Sequence, residues 1–301
     1  MEENFKSGFV SLVGRTNVGK STLLNSLVEE EVAITANKTQ TTRTAIKAII
    51  NRENSQIIIT DTPGIHKPKT KLSETMIDTA FGMIKEVDAV LFLIEATSTE
   101  IGRGDSKILE KIKESNKPCI LVINKIDLVQ KEQIAKLISL YSKEYDFSAV
   151  VPVSSVKNKG TEDLLLEIEK LLPEGPKYYA DDEYTDQTSR QLAEEKIREK
   201  ALKLLNDEVP HGIYVEVEKF KDRLTTKGED IYDIDATIYC LRESHKGIII
   251  GKEGAMLKRI SSYARQDLER MLGTKVNLKV WVKVKEDWQE KDNIVNKFKL
   301  K

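Results

Sequence analysis

The stretch GRTNVGKS, Gly14 to Ser21, decides the fold of the first half of the chain. It fits G-x-x-x-x-G-K-[ST], follows the apolar run FVSLVG and opens the helical pattern STLLNSL. A strand, a glycine-rich turn and a helix in this order place backbone N–H groups and a helix N-terminus around phosphate groups. In such a loop Lys20 reaches the β- and γ-phosphate oxygens and Ser21 binds Mg²⁺. The stretch therefore predicts a nucleotide-binding P-loop.

Short β-rich runs and helical patterns alternate through residues 1–172. The strand candidates are FVSLVG, AIKAII, QIIITD, AVLFLIEA, CILVINK and AVVPVSS. Helix candidates begin near Lys20, Lys71, Gly104, Gln130 and Thr161. Several of the strands are apolar throughout, as expected when both faces of a sheet are covered. The alternation predicts an α/β domain with a doubly wound, mostly parallel sheet.

The stretch LLPEGPKYYADDEYTDQ, which contains two prolines and a cluster of acids, ends this pattern. We interpret residues 173–186 as a linker and residues 187–301 as a second, smaller α+β domain. That domain has the order helix, strand, strand, short helix, helix, strand. In its first two strands, apolar residues alternate and so share one face. They are Ile213, Val215 and Val217 in one strand and Ile234, Ala236, Ile238 and Cys240 in the other.

Composition limits the class of protein. The chain has 301 residues, 40% hydrophobic and 32% charged, and a net charge of −1. No apolar run approaches the roughly 18 residues of a membrane span, and no signal peptide is visible at the N-terminus. The two cysteines lie in apolar strand patterns, which predicts buried, reduced thiols in a cytoplasmic protein. Residues 178–241 carry nine basic and sixteen acidic side chains, whereas residues 242–285 carry eleven basic and four acidic. This favours a polyanion-binding surface in one part of the chain, although ordinary charged helix faces would give a similar pattern.

A P-loop alone permits ATP or GTP, and the stretch NKID, Asn124 to Asp127, decides between them. It ends an apolar strand, where ligands bind in open α/β sheets. The Asp127 carboxylate can accept hydrogen bonds from the ring N–H and the amine of guanine, whereas adenine would leave it unpaired. Lys125 can lie along the base, and Asn124 can tie this loop to the P-loop. After the next strand, the backbone of VSSV can meet the guanine carbonyl.

The stretch DTPGIHKP, Asp61 to Pro68, supplies the metal and γ-phosphate contacts. Asp61 ends its strand opposite the P-loop, where it can hold Mg²⁺ through water, and the Gly64 N–H can sense the γ-phosphate. In the segment TQTTR we favour Thr42 over Thr41 as the threonine that closes on Mg²⁺. The predicted metal set is Ser21, Thr42 and Asp61. The predicted GTP-binding residues are Gly14, Asn17, Val18, Gly19, Lys20, Ser21, Thr22, Asp61, Gly64, Asn124, Lys125, Asp127, Ser154, Ser155 and Val156.

These motifs come in the order and spacing of the translation-factor-like GTPases, which the first domain resembles. Many GTPases have a water-orienting Gln after D-x-x-G, but this chain has Ile65. The hydrophobic residue resembles a subgroup in which an Asn matching Asn17 helps to bind a monovalent cation such as K⁺. That cation supplies positive charge where an arginine finger would act. Asn17 also suits a tight turn for conformational reasons alone. The candidate catalytic residues are Lys20, Asn17, Thr42 and Gly64.

The stretch HKGIIIGKEGAMLKRISSYARQDLERML is the informative part of the second half. Its G-x-x-G, at Gly251–Gly254, stands between an apolar run and a helix, and the domain resembles a type II KH module. Such a loop lets single-stranded RNA approach the backbone closely. The candidate RNA-binding residues are Ile250, Gly251, Lys252, Glu253, Gly254, Lys258, Arg259 and Arg265. In the last strand a basic stripe with Trp281 could touch RNA or form an ordinary solvated sheet face.

The two halves together resemble the Era family of ribosome-associated GTPases, over nearly the whole chain. The markers include LPEGPKYY, EVPHGIYVEVE, HKGIIIGKEGAMLK and LKVWVKVKEDW. Thr16, where many members have Pro, and the ending NIVNKFKLK depart from the pattern. The resemblance implies slow GTP hydrolysis to GDP, stimulated by K⁺ or by RNA or the ribosome. It also implies binding to the 3′ end of 16S ribosomal RNA and a role in maturing the small (30S) subunit. A cytoplasmic monomer with weak peripheral contact to the inner face of the cell membrane fits this picture.

Three alternatives remain open from the sequence. The first is a GTPase of RNA modification or large-subunit assembly, against which the KH-like half argues. The second is an RNA-binding protein whose nucleotide domain binds GTP without hydrolysing it, which Ile65 makes plausible. The third is a membrane-recruited switch, which would need a lipid anchor or an amphipathic helix.

Overall fold

The computed structural model describes residues 5–35, 38, 41–65 and 67–298. The chain forms two compact units. The first holds the described residues of Met1–Ala33, Thr42–Asp186 and Asn296–Lys301, and the second holds those of Ile34–Thr41 and Gln187–Val295. Thr39 and Gln40, in the segment TQTTR, lie outside the described residues.

The first unit has the predicted alternation of strands and helices. Its strands are β1 (Lys6–Gly14), β2 (Ile46–Asn51), β3 (Ser55–Asp61), β4 (Ala89–Glu95), β5 (Cys119–Asn124) and β6 (Ala149–Pro152). Its helices are α1 (Lys20–Val28), α2 (Lys71–Glu86), α3 (Arg103–Ser115), α4 (Lys131–Ser142) and α5 (Thr161–Leu171). The sheet order is β2-β3-β1-β4-β5-β6, in which β2 runs antiparallel to β3 and the other pairs are parallel. The predicted doubly wound, mostly parallel sheet is confirmed.

A core on each face explains why the strands are apolar throughout. One cluster joins the sheet to α1 and α5, through residues such as Leu23 and Ile168. The other joins it to α2, α3 and α4, through residues such as Ala80, Ile108 and Leu137. Both faces of the sheet are covered by these clusters, and every residue of β3 and β5 is buried. The polar residues at the carboxyl ends of the strands therefore form the edge where a ligand can bind.

The sixth strand is shorter than the sequence predicted. The pattern AVVPVSS predicted a strand through Ser155, but β6 ends at Pro152. The Ser155 N–H and hydroxyl both donate to the side-chain oxygen of Asn124, at 3.1 and 2.8 Å. These bonds turn the backbone away from the sheet, so that two serines join the ligand-binding edge.

Residues 173–186 pack on the first unit. Ser7 N–H donates to the Pro173 carbonyl at 3.1 Å, and Ile49 N–H donates to the Tyr184 carbonyl at 3.0 Å. Ala48 pairs with Thr185 in an antiparallel bridge beside the outer strand β2. Peptide groups of this edge strand thus receive partners instead of remaining free to pair with another chain.

The second unit has the predicted order of elements. It contains α6 (Ser189–Leu204), β7 (Tyr214–Leu224), β8 (Asp230–Cys240), α7 (Glu243–Ile250), α8 (Ala255–Leu272), β9 (Lys275–Val284) and the short α9 (Asp292–Val295). The sheet order is β7-β8-β9, with β7 antiparallel and β9 parallel to β8. The predicted alternation in β7 and β8 is confirmed, because its apolar members are buried in one core. A bulge between Val217 and Lys219 shifts the alternation, so that Phe220 also packs against this core.

The burial of side chains answers two further questions from the sequence, the state of the two cysteines and the place of the C-terminal stretch. Cys119 and Cys240 are free and buried, as predicted, and burial raises the pKa of the Cys119 thiol. In the C-terminal stretch, the buried Trp288 donates from its indole to the Gly212 carbonyl at 3.0 Å, so this stretch is part of the second unit.

Within the described residues, no helix has the length and apolarity needed to cross a membrane.

Candidate functional site

The P-loop connects β1 to α1 and is shaped by left-handed residues. Asn17 has φ 66° and Gly19 has φ 99°. A Cβ on Gly19 would lie 2.4 Å from the side-chain nitrogen of Asn124, so only glycine fits between the loop and that side chain. The Asn124 amide in turn donates to the Val18 carbonyl at 2.9 Å. The loop is thus held open around the N-terminus of α1, with its N–H groups available for phosphate oxygens.

Lys20 is a buried cation at the centre of this loop. Its side-chain nitrogen donates to the carbonyls of Gly14, at 3.3 Å, and Arg15, at 3.1 Å. Only 6% of the residue is exposed. Burial lowers the pKa of Lys20, and the nearby Asp61 carboxylate opposes that effect. A cation in a poorly solvated site acts strongly on phosphate charge because little water screens it.

The three predicted metal ligands lie together although they come from three separate elements. The hydroxyls of Ser21 and Thr42 lie 2.8 Å apart, and they donate to Asp61 Oδ2 at 2.8 and 2.9 Å. Thr41 does not join them, since its hydroxyl donates to the Lys38 carbonyl at 2.7 Å. Thr42, which we favoured over Thr41, thus places its hydroxyl beside Ser21 and Asp61, and its role as a metal ligand stays a prediction.

Asp61 shows that this cluster suits a hard cation. The residue is fully buried, and among the described residues its Oδ1 has no hydrogen-bond partner. Burial raises the pKa of Asp61, against the lowering effects of Lys20 and the two hydroxyls. One carboxylate and two hydroxyls are oxygen ligands of the kind that Mg²⁺ prefers. The residues present thus fit the predicted metal.

Gly64 and Ile65 pass directly beside the P-loop. A Cβ on Gly64 would lie 2.8 Å from the Thr16 methyl and 2.9 Å from its Cα, and the Ile65 N–H donates to the Gly14 carbonyl at 3.1 Å. The Ile65 side chain is only 5% exposed and packs in the core with Val13 and Ala80. Ile65 therefore has a packing role, and its side chain contributes no polar group to the reaction.

We expect Ile65→Ala to lower the free energy of unfolding by about 3 kcal/mol, because it leaves a cavity in this core. Hydrolysis per folded molecule should stay within about tenfold of the parent, a difference of about 1.4 kcal/mol in activation free energy. Denaturant unfolding and GTP turnover measure the two effects. The control is Leu166→Ala in α5, where the side chain is 45% exposed and the loss should be much smaller. A large loss of turnover with unchanged stability would contradict the packing role.

The base-recognition residues come together at the ends of β5 and β6. Lys125 has φ 64°, and its side-chain nitrogen donates to the Asn17 carbonyl at 2.7 Å. Asp127 accepts a hydrogen bond from the Ser154 hydroxyl. Val156 is 74% exposed, whereas the two serines before it are buried. Thr22 lies in the first turn of α1, behind the loop. The predicted GTP-binding residues therefore lie around one edge of the sheet.

The sequence analysis did not single out three charged residues of this region, which are Arg15, Glu95 and Asp105. Glu95 pairs with Lys125, and Asp105 pairs with Arg15 at 2.9 Å. Glu95 ends β4, and the same rule that places ligand contacts at the carboxyl ends of parallel strands could have singled it out. Asp105 lies in a helix and carries no such signal.

The G-x-x-G loop of the second unit joins α7 to α8 in a conformation that needs glycine. Gly251 has φ 73° and ψ 174°, Glu253 has φ 51°, and Gly254 has φ 77°. Lys252 and Glu253 are exposed, whereas Ile250 is half-buried beside the buried Ile249. Bare backbone with no Cβ at either end of the loop offers close approach to a bound chain.

The cations after this loop differ in their availability. Lys258 and Arg259 are exposed in the first turns of α8. Arg265 is half-buried and donates to Glu269 at 2.7 Å, so part of its charge is already paired. On β9, Trp281 is 44% exposed, and Lys283 pairs with Glu218 of β7 at 3.3 Å. The cations beside the G-x-x-G loop are therefore the better candidates for phosphate contacts.

Comparison with known proteins identifies the family. A family model described as "50S ribosome-binding GTPase" matches residues 9–125, and one described as "KH domain" matches residues 208–289. GTPase Era of Thermoanaerobacter sp. (strain X514) is 52% identical over 293 residues, covering 97% of this chain and 96% of the relative. GTPase Era of Clostridioides difficile (strain 630) is 52% identical over 295 residues, covering 98% of both chains. The chain belongs to the GTPase Era family.

Solved structures of Era agree with this assignment over the whole fold. One is Era in complex with MgGDPNP and nucleotides 1506–1542 of 16S ribosomal RNA, with a TM-score of 0.93 and 40% identity over 98% of both chains. Another is a variant of Aquifex aeolicus Era bound to GDP·AlF4⁻, with the same TM-score and identity over 98% of this chain and 99% of that one. The predicted combination of a P-loop GTPase domain and a KH domain is confirmed. As a member of the Era family the protein is a GTPase, which excludes the alternative of a domain that only holds nucleotide.

Proposed function

We propose that this Era-family GTPase binds the 3′ region of 16S ribosomal RNA and acts in the assembly of the small ribosomal subunit. The observation that carries the proposal is the G-x-x-G loop, with two exposed cations in the helix that follows it. A relative with a TM-score of 0.93 has been crystallised with nucleotides 1506–1542 of 16S ribosomal RNA, which supports the same class of ligand here.

The chemistry of the loop suits single-stranded RNA. Gly251 and Gly254 let a nucleotide strand approach the backbone, and unstacked bases expose edges that peptide groups can recognise. Lys252, Lys258 and Arg259 supply positive charge for phosphates, which contributes affinity but no sequence selection. Glu253 is exposed in the same loop and disfavours a phosphate beside it, so we propose contacts from backbone groups there rather than a salt-bridge clamp. Ile250 and Arg265 complete the proposed contact set.

In the nucleotide site each residue has a proposed task. The P-loop N–H groups and Lys20 bind the β- and γ-phosphates, and Asp127 selects guanine. Ser21, Thr42 and Asp61 would hold Mg²⁺, which when bound neutralises the charge that develops on the phosphate oxygens. The Gly64 N–H donates to the γ-phosphate. Ser154, Ser155 and Val156 border the guanine carbonyl. The N–H groups of Ser154 and Ser155 already donate to the Lys159 carbonyl and to Asn124, so the Val156 N–H is the proposed donor to the base.

Ile65 has no polar group that could orient the attacking water, so GTP hydrolysis needs another source of activation. We propose K⁺, held in part by Asn17, or contact with RNA or the ribosome. Asn17 is exposed and left-handed, so its turn-forming role is real whatever its role in cation binding. A cation near the β- and γ-phosphates would stabilise the charge of the transition state.

Asn17→Gly separates these two roles because it keeps the left-handed backbone and removes only the side-chain amide. We expect K⁺ to raise the turnover of the parent about tenfold over Na⁺, and we expect the variant to lose this difference. Turnover in matched KCl and NaCl measures it. If K⁺ has no effect on the parent, the cation account fails and activation must come from a partner. If the variant keeps the full K⁺ effect, Asn17 is no ligand.

Crosslinking in cell extract followed by sequencing of the bound RNA tests the RNA proposal. We expect enrichment of the 3′ end of 16S ribosomal RNA and co-sedimentation with 30S subunits. Enrichment of 23S RNA would instead favour the alternative role in large-subunit assembly. Comparing RNA affinity with a GTP analogue and with GDP then tests whether nucleotide state controls RNA binding, and identical affinities would exclude that coupling.

The remaining proposals concern location and organisation. We propose a cytoplasmic monomer that makes weak peripheral contact with the membrane, which sedimentation and flotation with anionic lipid vesicles would test. We also propose that residues 173–186 connect a GTPase domain of residues 1–172 to an RNA-binding domain of residues 187–301. Expressed separately, residues 1–186 and 187–301 should then each unfold in a cooperative transition.

A further inference from the structure

A chain of alternating charges lies beside the P-loop. It runs from Asp105 to Arg15, then to Glu95 and to Lys125, whose side chain donates to the Asn17 carbonyl. All five residues belong to the first unit. We propose that Glu95 is a positioning residue for nucleotide binding, which acts through Lys125 to hold both the base-recognition loop and the P-loop in place.

Lys125 depends on Glu95 for its orientation. Its side-chain nitrogen lies 2.7 Å from Glu95 Oε2 and 2.7 Å from the Asn17 carbonyl oxygen. A free lysine side chain carries about 2 kcal/mol of rotamer entropy. Two acceptors, one of them charged, restrict it to one direction, in which its stem can lie along a bound base. Without the carboxylate, the Asn17 carbonyl alone would hold it.

The position of Glu95 in the sheet makes it a rigid support. It is the last residue of β4 and pairs in parallel register with Asn124, the last residue of β5. The next residue, Ala96, donates from its N–H to the Asn124 carbonyl at 2.7 Å. The carboxylate therefore projects from a paired backbone, and only 27% of its side chain is exposed. Partial burial makes a charged hydrogen bond worth more than on an open surface.

The other end of the chain of charges fixes the start of the P-loop. Arg15 donates to Asp105 at 2.9 Å and to the Ser98 hydroxyl at 3.2 Å, and its guanidinium lies 4.0 Å from Glu95 Oε1. Asp105 is fully buried in the first turn of α3. Burial raises the pKa of Asp105, and the Arg15 charge opposes that effect. Residues 15–17 are thus held at both ends, through the Arg15 side chain and the Asn17 carbonyl.

Removing the Glu95–Lys125 contact should lower nucleotide affinity without changing the rate of the hydrolysis step. A loop that is already ordered loses less entropy when a nucleotide binds. The proposed contacts of Lys125 are with the base and not with the γ-phosphate, so they should contribute equally to the binding of GDP, GTP and the transition state. Removing them should therefore weaken binding uniformly and leave the rate at saturation nearly unchanged. The inference rests on the nucleotide contact proposed for Lys125.

Glu95→Gln is the direct test, because it keeps the shape and removes the charge. We expect the Kd for fluorescently labelled GDP to rise about tenfold, which is about 1.4 kcal/mol. The turnover number at saturating GTP should stay within about threefold. The matched control is Glu114→Gln in α3, where the carboxylate pairs with Lys111 at the same 2.7 Å distance but away from the loop. It should leave the Kd unchanged.

A double-mutant cycle with Lys125→Met tests whether Glu95 acts through Lys125. We expect the double variant to bind GDP within twofold of Lys125→Met alone. The proposal is overturned if Glu95→Gln binds GDP as tightly as the parent, or if its tenfold loss adds in full to that of Lys125→Met. A Lys125→Met variant with unchanged affinity would remove the proposed contact of Lys125 itself, and the role of Glu95 with it. If Glu95→Gln does not fold, Glu95→Asp gives the same test, with a several-fold loss expected from its shorter reach.

Discussion

Lys20→Met should lower kcat/KM for GTP hydrolysis by about 10³-fold, or about 4 kcal/mol of transition-state stabilisation. Lys20 is buried beside the Asp61 carboxylate, which opposes the lowering of its pKa by burial, and a charge at this position is little screened by water. Such a charge is effective where negative charge develops on transferring phosphoryl oxygens. Steady-state turnover at several GTP concentrations measures the loss and its division between kcat and KM.

A second buried lysine provides the control for this substitution. Lys196 in α6 is 5% exposed, close to the 6% of Lys20, but belongs to the second unit. Lys196→Met should cost folding stability without changing the kcat of the folded protein. If Lys20→Met loses less than tenfold in kcat/KM while it remains folded, Lys20 has no transition-state role and the assignment of the site is wrong.

Gly251→Ala should weaken binding to a single-stranded RNA carrying the 3′ sequence of 16S ribosomal RNA by about 30-fold, or about 2 kcal/mol. At φ 73° and ψ 174°, the backbone of Gly251 occupies a region that is essentially restricted to glycine. An added Cβ would also lie 2.8 Å from the Met256 Cβ and 3.0 Å from the Met256 nitrogen. The loop must therefore change shape, and the backbone groups proposed to meet RNA move with it. Fluorescence anisotropy with labelled RNA measures the change.

Gly247→Ala, four residues earlier, is the matched control. Gly247 lies inside α7, and nothing would lie within 4 Å of its added Cβ. Alanine in a helix interior is favoured over glycine by roughly 0.5–1 kcal/mol, so this variant should be slightly more stable and bind RNA within twofold of the parent. Equal RNA affinity of the two variants would exclude the loop as the contact surface. Nucleotide turnover should be unchanged in both.

Much of the fold and most of the site could be predicted because the signals are local. A strand that is apolar throughout must be covered on both faces, and this places its neighbours and its helices. The P-loop and the NKID loop each follow such a strand, so both had to lie at the same edge of the sheet. The alternation of apolar residues predicted which side chains of β7 and β8 are buried. No local pattern predicted the bulge after Val217.

The remainder depends on contacts between residues far apart in the chain. Ser155 looked like the end of a strand, but its bonds to Asn124 stop β6 three residues earlier. By contrast, the ion pair between Arg265 and Glu269 spans only four residues of α8, so the i,i+4 spacing could have indicated it. Glu95 could have been placed at this edge from its position at the end of β4, but its pairing with Lys125 depends on side-chain directions that only the packed strands show.

The sequence by itself determined the class of the protein, because motifs such as GRTNVGKS, NKID and the G-x-x-G stretch require particular residue types at fixed local spacing. It could not decide what Ile65 does. Only the tertiary structure shows that this side chain faces a core and that Thr42, not Thr41, meets Ser21 and Asp61. The physical reason is that side-chain direction depends on which elements pack together, and a segment between two elements acquires its geometry only from that packing.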